Sequence, residues 1–373
     1  MQKPLALARK QMGDIGTDLE AGLPALREAA RKSAREPSLL LHIGTHKTGS
    51  TAIQRALRKN RAALHKRGIV SQPRCNDALR AMLELGEMDA SLCARIAGQL
   101  AAFRTAKASS LVVSNEGLCG DPLLGYRNAP DFARRMRSCT AGYKVTVLVY
   151  IRRQDEFIES LYTQKIHEGH TLTFEEFLDQ ISGLVFDWHA LLESYAEVFG
   201  RENIIVRRYE KRFMPRRESL LEDFFEITGA GHAGLELRQG DAAPNAGYSR
   251  IAAEIARQCN SHLGTEERRE MRRVLQASIP KKPHESYSHM DGPARASLLA
   301  RHEASNALVA RDYFGDTTGR LFEFLPEEDA GIASAPATGE MLAALVKVLL
   351  QTHARRPKSK LGRALVRLGE MMK

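Results

Sequence analysis

The sequence predicts an α/β protein. A central, mainly parallel sheet of about five strands is covered by helices on both faces, and a helical part follows. Five apolar runs have the length of strands, and most are followed by segments with helical periodicity. Three of these runs are nearly continuous in Val, Ile and Leu, as is typical of strands that are buried on both faces. The five predicted strands are residues 39–43, 68–72, 110–114, 145–151 and 203–209.

Composition divides the chain into three predicted parts. Residues 1–36 are rich in Ala and Arg and are predicted to form a helical or partly disordered extension that stops at Pro37. Residues 37–326 hold all five predicted strands and form the main domain. Residues 327–373 begin with a stretch rich in Ala, Gly and acids, which predicts a linker, and end in a basic tail.

The main domain is predicted to be helical from about residue 215 to residue 325. Residues 218–229 carry an apolar stripe and end on Gly229, a residue type that favours a helix C-terminus. Ser249 is predicted to be the N-cap of a helix that follows a loop. Residues 294–315 show a long amphipathic pattern.

The composition is that of a soluble globular protein. The chain has 373 residues, of which 43% are hydrophobic and 27% are charged, which suits a substantial core. The sequence contains no run of about 18 apolar residues, the length that predicts a transmembrane helix. Arg9 and Lys10 interrupt the N-terminal stretch where a signal peptide needs its apolar segment. The sequence therefore predicts a cytoplasmic protein.

The cysteines and histidines do not form a recognisable metal site. The five cysteines are scattered without a C-x-x-C pair and are predicted to be free thiols in a reducing compartment. His167 and His170 are three residues apart, but the sequence offers them no third partner. No metal is therefore expected.

Positive charge is concentrated at the C-terminal end. The net charge of the chain is +10, and residues 341–373 hold eight basic residues against one acid. The rest of the chain is close to neutral, so no nucleic-acid partner is expected. The tail is predicted either to be solvated or packed on the body, or to lie on the anionic inner face of a membrane. Four apolar residues of the tail fall on one helical face: Leu361, Leu365, Leu368 and Met372.

The stretch GTHKTGST, residues 44–51, joins the first predicted strand to a helix. Gly44 and Gly49 have the separation of the phosphate-binding loop G-x-x-x-x-G-K-[ST], but Ser50 stands where the lysine belongs, and the lysine is Lys47. Backbone N–H groups in such a turn and the dipole of the helix favour an anion. We therefore predict a P-loop-like three-layer fold with an anion site at which Lys47 supplies a point charge.

The displaced lysine resembles the 5′-phosphosulfate loop of sulfotransferases that use 3′-phosphoadenylyl sulfate (PAPS). The family pattern is P-K-[ST]-G-[ST]-[ST], and HKTGST matches it with His46 in the place of the proline. The resemblance implies that this loop binds the 5′-phosphate and the bridging oxygen of PAPS. The implied donor-binding residues are Lys47, Thr48, Gly49, Ser50 and Thr51.

A second family mark follows the fourth predicted strand. In the family, an arginine at the strand end and a serine eight residues later bind the 3′-phosphate, and VTVLVYIRRQDEFIESLY supplies Arg152 and Ser160 at these positions. An arginine presents a fork of donors that suits a phosphate. Arg153 is expected to point away from Arg152 and to be a structural ion-pair residue. Gln154 stands where family members usually carry proline.

The likeness runs from about Leu39 to Phe324 and is to a bacterial branch of the family. The segments VVSNEGL, PNAGYS and EASNALVARDYFGDTTGRLF resemble this branch, as does the loop pattern HIGTHKTGSTxIQ. The resemblance implies a carbohydrate, a lipid-linked glycan or a glycolipid as the acceptor. The R-x-G-x-x-G segment of the cytosolic animal enzymes is absent from the sequence, so we assign no adenine-binding residue.

Sulfuryl transfer by in-line displacement points to three candidate catalytic residues. Lys47 is expected to stabilise the charge that develops on the leaving 5′-phosphate. Glu116 follows the third predicted strand, at the edge where parallel sheets bind ligands, and is the first candidate for the general base. His46 lies inside the loop and is the second candidate. His42 lies within the first strand and is expected to be an interior histidine.

Two other functions stay open beside a PAPS-dependent sulfotransferase. A P-loop kinase or nucleotide hydrolase would need a lysine next to Ser50 and a strand that ends in Asp to hold Mg²⁺, and the sequence shows neither pattern. A non-catalytic nucleotide-binding protein on the same fold would keep the loop without the chemistry. The set Lys47, Ser50, Arg152 and Ser160 favours the enzyme, with PAPS as donor and no metal.

Overall fold

The structure is a computed structural model that describes residues 37–71, 90–101, 110–210, 220–237, 247–280, 288–322 and 336–354. Three predicted features lie outside these residues: the N-terminal extension, most of the linker, and the apolar face of the tail at residues 361–372. The division of the chain into three parts therefore stays a prediction.

The centre of the fold is a five-stranded sheet in which every strand pairing is parallel. The strand order is β2-β3-β1-β4-β5, so β1 lies in the middle. This confirms the predicted sheet, and each of the five apolar runs forms one strand. The strands are β1 Ser38–His42, β2 Ile69–Ser71, β3 Ser110–Ser114, β4 Lys144–Ile151 and β5 Ile204–Arg208.

Helices connect the strands, because parallel neighbours need crossover connections. Those among and directly after the strands are α1 Ser50–Lys59, α2 Arg61–Lys66, α3 Ala90–Ala101, α4 Ala129–Cys139, α5 Gln154–Glu168, α6 Phe174–Gln180, α7 Trp188–Phe199 and α8 Leu220–Ile227. The helical C-terminal part contains α9 Arg250–Cys259, α10 Thr265–Ser278, α11 Gly292–Ala300, α12 Glu303–Phe314 and α13 Thr338–Ala354.

Alternation along the strands sends side chains into two separate cores. Leu39 and Leu41 of β1 pack in a cluster with residues of α4, α5 and α7, whereas Leu40 packs with residues of α1 and α8 on the other face. Each face of the sheet is thus covered by helices, which confirms the predicted three-layer α/β architecture.

The long amphipathic pattern at residues 294–315 forms two helices, α11 and α12, and not one. The chain bends at Arg301 and His302. The His302 side chain is buried, where its Nε2 accepts a hydrogen bond from the Phe186 N–H at 3.2 Å and its Nδ1 donates to the Leu298 carbonyl at 2.8 Å. The amphipathic period continues through the bend, so the sequence pattern does not show it.

The helix α13 begins inside the segment that was predicted to be a linker. Its first turn includes Glu340, which pairs with Arg250 of α9 at 3.4 Å, and Ala344 is buried against the body. Residues 338–340 are helical because α13 packs on α9 and α10. Within the described residues, no helix has both the length and the apolar character that crossing a bilayer requires.

The sheet order defines where a ligand would bind. The strands β1 and β4 are neighbours, but the chain leaves β1 towards β2 and leaves β4 towards β5, in opposite directions. Open parallel sheets bind ligands outside the carboxyl ends of the strands at such a switch point. The loop that contains Lys47 follows β1, and Arg152 follows β4, so both lie at this point.

Candidate functional site

The loop between β1 and α1 has an unusual backbone. Gly44, Lys47 and Gly49 have φ angles of 32°, 68° and 84°. A positive φ is uncommon for a residue with a side chain, and such conformations concentrate at functional sites. The loop is anchored to β4 through Thr45, whose N–H and hydroxyl both donate to the Tyr150 carbonyl, at 3.3 Å and 2.8 Å.

Five consecutive backbone N–H groups of this loop are available to a ligand. The N–H groups of residues 47–51 donate no hydrogen bond to any residue that the structure describes. The next two, of Ala52 and Ile53, bond the Gly49 carbonyl and begin α1. A run of open donors at a helix N-terminus forms an anion site, since the helix dipole adds to the attraction.

Two glycines of the loop are required by close packing as well as by φ. A Cβ at Gly49 would clash with Leu220 Cδ2 of α8, and a Cβ at Gly44 would lie 2.7 Å from His42 Nε2. The loop therefore sits directly on the side chains beneath it, which fixes its shape.

The hydroxyl residues in the second half of the loop, Thr48, Ser50 and Thr51, differ in their surroundings. Thr48 is fully buried, and its hydroxyl donates to the Thr45 carbonyl at 2.6 Å. This bond gives the Thr48 side chain a role in the loop itself, so a ligand contact of Thr48 would come from its backbone N–H. Ser50 and Thr51 open α1, and their hydroxyls make no hydrogen bond to the described residues.

Within the described part of the chain, no carboxylate forms an ion pair with the Lys47 ammonium. It is partly buried and makes no ion pair there. Burial lowers the pKa of the Lys47 ammonium below its ordinary value, and the charges of Arg152 and Arg272 lower it further, whereas Glu168 acts in the opposite direction. Positive groups held together in this way favour an anion between them.

Arg152 reaches the loop from the end of β4. Its Nη1 lies 3.5 Å from the Lys47 carbonyl, its Nε donates to Glu156 at 2.9 Å, and its guanidinium lies over the Tyr209 ring. Ser160 is one turn of α5 beyond Glu156 and therefore on the same helix face. The Ser160 hydroxyl makes no hydrogen bond to a described residue. Ser160 therefore lies on the helix face that carries Glu156, the partner of Arg152, and its pairing with Arg152 at a phosphate stays a prediction.

Arg153 forms an ion pair as the sequence predicted. It is buried, donates to Asp155 at 2.8 Å and 3.1 Å, and Asp155 also accepts from the buried Arg295. The departure from the family at Gln154 has a structural reason: its side-chain amide exchanges two hydrogen bonds with that of Asn306 in α12, at 2.9 Å and 3.1 Å.

Glu116 lies beside the loop, in the first turn of a 3₁₀ helix at Glu116–Cys119. Gln54 of α1 donates to Glu116 Oε2 at 2.8 Å and to the Ser114 carbonyl at 3.3 Å, which orients the carboxylate. The other oxygen, Oε1, makes no hydrogen bond to a described residue. One oxygen is therefore positioned by the protein and the other is open.

His46 faces Glu116 from inside the loop. Its Nδ1 lies 3.1 Å from the hydroxyl of the buried Tyr126, and the two rings stack. Burial lowers the pKa of His46, and the negative charges of Glu116 and Asp121 partly offset this effect. The structure therefore brings the two predicted candidates for the general base, Glu116 and His46, close enough for the charge of Glu116 to act on the pKa of His46.

Of three other histidines considered from the sequence, His42 and His167 pack against aromatic rings and His170 does not. His42 is fully buried, as predicted, with its Nδ1 2.8 Å from Ser114 Oγ, and burial lowers its pKa to about 3. His167 packs edge-on against the Tyr248 ring at 4.2 Å, and His170 is exposed. Among the described residues, no group of three His, Cys, Asp or Glu side chains converges as a metal site would.

Sequence reasoning did not assign roles to three residues of the site. Gln54 was visible within the loop pattern HIGTHKTGSTxIQ, although the pattern gave it no partner. Tyr126 and Arg272 carried no local signal, because Tyr126 contacts His46, and Arg272 acts on the pKa of Lys47, from parts of the chain that are distant in sequence.

Known proteins resemble this chain in part. No family model matches the chain. A protein from Archaeoglobus fulgidus, described as uncharacterized, is 25% identical over 171 residues, which cover 45% of this chain and 46% of that protein. The chain therefore spans about half the length of this relative. The chain is similar to the crystal structure of a sulfotransferase from Alicyclobacillus acidocaldarius. The match covers 62% of this chain and 98% of that chain, with 16% identity and a TM-score of 0.36.

Proposed function

We propose that the protein is a sulfotransferase that moves the sulfuryl group of PAPS to a hydroxyl or amine of an acceptor. The observation that carries the proposal is the run of five N–H groups at residues 47–51 and the ammonium of Lys47, none of which has a partner among the residues that the structure describes. A kinase loop places its lysine directly after the second glycine. Here the lysine lies within the loop, two residues before the second glycine, as in the sulfotransferase loop that HKTGST resembles.

The residues at the switch point would divide the donor between them. The open N–H groups and Lys47 would bind the 5′-phosphate and stabilise the charge that it gains as the leaving group. Arg152 and Ser160 would bind the 3′-phosphate, with Glu156 and Tyr209 holding the guanidinium in place. PAPS supplies the activated sulfuryl group, and adenosine 3′,5′-bisphosphate is the product that this site would release.

Glu116 would remove the proton of the acceptor. Gln54 holds one carboxylate oxygen, and the other is open to an acceptor hydroxyl. His46 is the second candidate, since a neutral imidazole can accept a proton and burial favours its neutral form. That the acceptor is a carbohydrate, a lipid-linked glycan or a glycolipid stays a prediction. Docking of the tail on a membrane also stays a prediction. The kinase and the non-catalytic nucleotide-binding protein stay as alternatives.

Calorimetric titration with adenosine 3′,5′-bisphosphate, 5′-AMP and ATP tests the donor site. We expect the bisphosphate to bind most tightly, Lys47→Ala to weaken all three ligands, and Arg152→Ala and Ser160→Ala to remove the preference for the 3′-phosphate. The expected loss on Arg152→Ala is about tenfold, as for a hydrogen bond to a charged group. Equal affinity of the wild type for the bisphosphate and 5′-AMP would contradict the proposal.

A further inference from the structure

Two crossover helices on the same face of the sheet meet through a pair of cysteines. The helix α3 lies in the crossover from β2 to β3, and α4 lies in the crossover from β3 to β4. Ile96 and Leu100 of α3 pack in the same core as Met136 of α4. Cys93 is three residues before Ile96, so it lies on the same face of α3 and packs against this core. The packing therefore directs Cys93 towards α4.

The two thiols are in direct contact. Cys93 Sγ lies 2.8 Å from Sγ of Cys139, the last residue of α4, and both residues are free cysteines in the structure. The distance is shorter than the contact between two non-bonded sulfur atoms. A disulfide needs about 2.0 Å, so forming the bond brings the two atoms together by less than about 1 Å. The cysteines are 46 residues apart in the chain, and for this reason their positions in the sequence predicted only free thiols.

Hydrogen bonds next to the pair hold both helices in place. Tyr143, which follows α4, donates from its hydroxyl to the Leu100 carbonyl near the end of α3, at 2.8 Å. The Thr140 hydroxyl donates to the Met136 carbonyl at 2.8 Å and so secures the last turn of α4, beside Cys139. Because both helices are anchored, the two sulfur atoms are held close together before any bond forms.

Among the described residues, the other cysteines have no thiol partner. Cys119 donates to the Glu116 carbonyl at 2.8 Å, and Cys259 of α9 makes no hydrogen bond. Within the pair, Cys93 is partly exposed and Cys139 is buried. Burial and the neighbouring Cys93 thiol raise the pKa of the Cys139 thiol. An oxidant in solution therefore meets Cys93 first, because it is the more accessible sulfur.

We propose that Cys93 and Cys139 form a reversible disulfide, a redox modification site that crosslinks α3 to α4. The oxidant is a low-molecular-weight disulfide such as oxidised glutathione. The Cys93 thiolate attacks one sulfur of the oxidant, which forms a mixed disulfide and releases one glutathione thiol. The Cys139 thiolate then attacks the Cys93 sulfur, which forms the protein disulfide and releases the second glutathione thiol. The two protein thiols lose two electrons and two protons in total, and the oxidant gains both. This inference does not depend on the proposed function.

The test treats the full chain with oxidised glutathione, alkylates the remaining thiols and digests the protein without reductant. We expect mass spectrometry to find the peptide of Cys93 joined to the peptide of Cys139, and dithiothreitol to separate the two. Cys93→Ser and Cys139→Ser should each lose the joined peptide. Cys259→Ser is the matched control, since it removes a cysteine outside the pair, and it should keep the joined peptide.

Thermal unfolding provides a second readout and checks that the reduced variants fold. A crosslink across 46 residues restricts the unfolded chain, so oxidation should raise the melting temperature of the wild type and of Cys259→Ser by about 5 °C. Cys93→Ser should show no such rise. The inference is overturned if Cys93 stops at the mixed disulfide with glutathione, if it joins a cysteine other than Cys139, or if the crosslinked chain melts no higher than the reduced chain.

Discussion

Arg152 and Arg153 are consecutive residues at the end of β4, yet they lie in opposite environments. Arg153 is buried and pairs with Asp155, which in turn accepts from Arg295, so the positive charges share a buried carboxylate. Arg152 is partly exposed, has one contact to Glu156, and lies beside Lys47, which pairs with no carboxylate among the described residues.

The difference separates a cluster whose charges are compensated within the chain from one whose charges are not compensated by the described residues. Although burial alone would raise the pKa of Asp155, hydrogen bonds and charges from Arg153 and Arg295 hold it below its ordinary value. At the loop, in contrast, the charges of Arg152 and Arg272 and burial act together to lower the pKa of Lys47. Charged side chains that are compensated within the chain are typical of a structural role, whereas charged side chains without such compensation are candidates for a binding site.

The largest effect is expected when the compensated cluster is broken. Asp155→Ala leaves Arg153 and Arg295 buried without their shared carboxylate, which should lower the free energy of unfolding by about 3–5 kcal/mol. Urea denaturation followed by circular dichroism measures this change. The matched control is Asp131→Ala, which removes an exposed acid paired with Arg134 and should cost under about 1 kcal/mol. Similar losses in the two variants would show that the buried cluster does not stabilise the fold.

An intermediate effect on the free energy of unfolding is expected from protonation of His42, whose imidazole lies beneath the loop. The folded-state pKa of His42 is about 3, below the ordinary 6.5 that applies in the unfolded chain. Between these values the unfolded state binds a proton that the folded state does not, so stability is present above pH 6.5 and is lost as the pH falls towards 3. His42 should contribute a slope of about 1.4 kcal/mol per pH unit in this window.

Urea denaturation of the wild type and His42→Asn between pH 7.5 and pH 4.5 measures that slope. The variant is expected to be less stable at pH 7.5 and to lose stability more slowly as the pH falls, by about one proton. Parallel pH profiles for the two chains would mean that His42 does not titrate as its burial requires.

The smallest effect is expected at the uncompensated site. Lys47→Met removes a partly desolvated charge next to two arginines, so it should stabilise the ligand-free protein, by less than about 1 kcal/mol. Lys165→Met is the matched control, because Lys165 is a lysine that does pair, with Glu168 at 2.7 Å, and its replacement should not stabilise. Thermal unfolding of both variants without anions makes the comparison. If Lys47→Met lowers the melting temperature, the charge of Lys47 stabilises the fold and its role is structural.

Local patterns predicted most of the fold and part of the site. Apolar runs of strand length identified all five strands, and the spacing of Gly44 and Gly49 located the turn with open N–H groups. Strand alternation predicted that Arg153 would differ from Arg152. The bend at His302 and the start of α13 were not predicted, because both depend on contacts with distant helices and not on the residue pattern.

The sequence by itself determined the sheet, the loop and the residue types in it, since hydrophobic period, glycine and strand length act over a few neighbouring residues. The tertiary structure alone decided which charges are compensated. Whether Asp155 meets Arg295, and whether Glu116 meets Gln54, depends on how distant elements pack. Electrostatic free energy depends on distance and burial in space, and the linear chain specifies neither until it is folded.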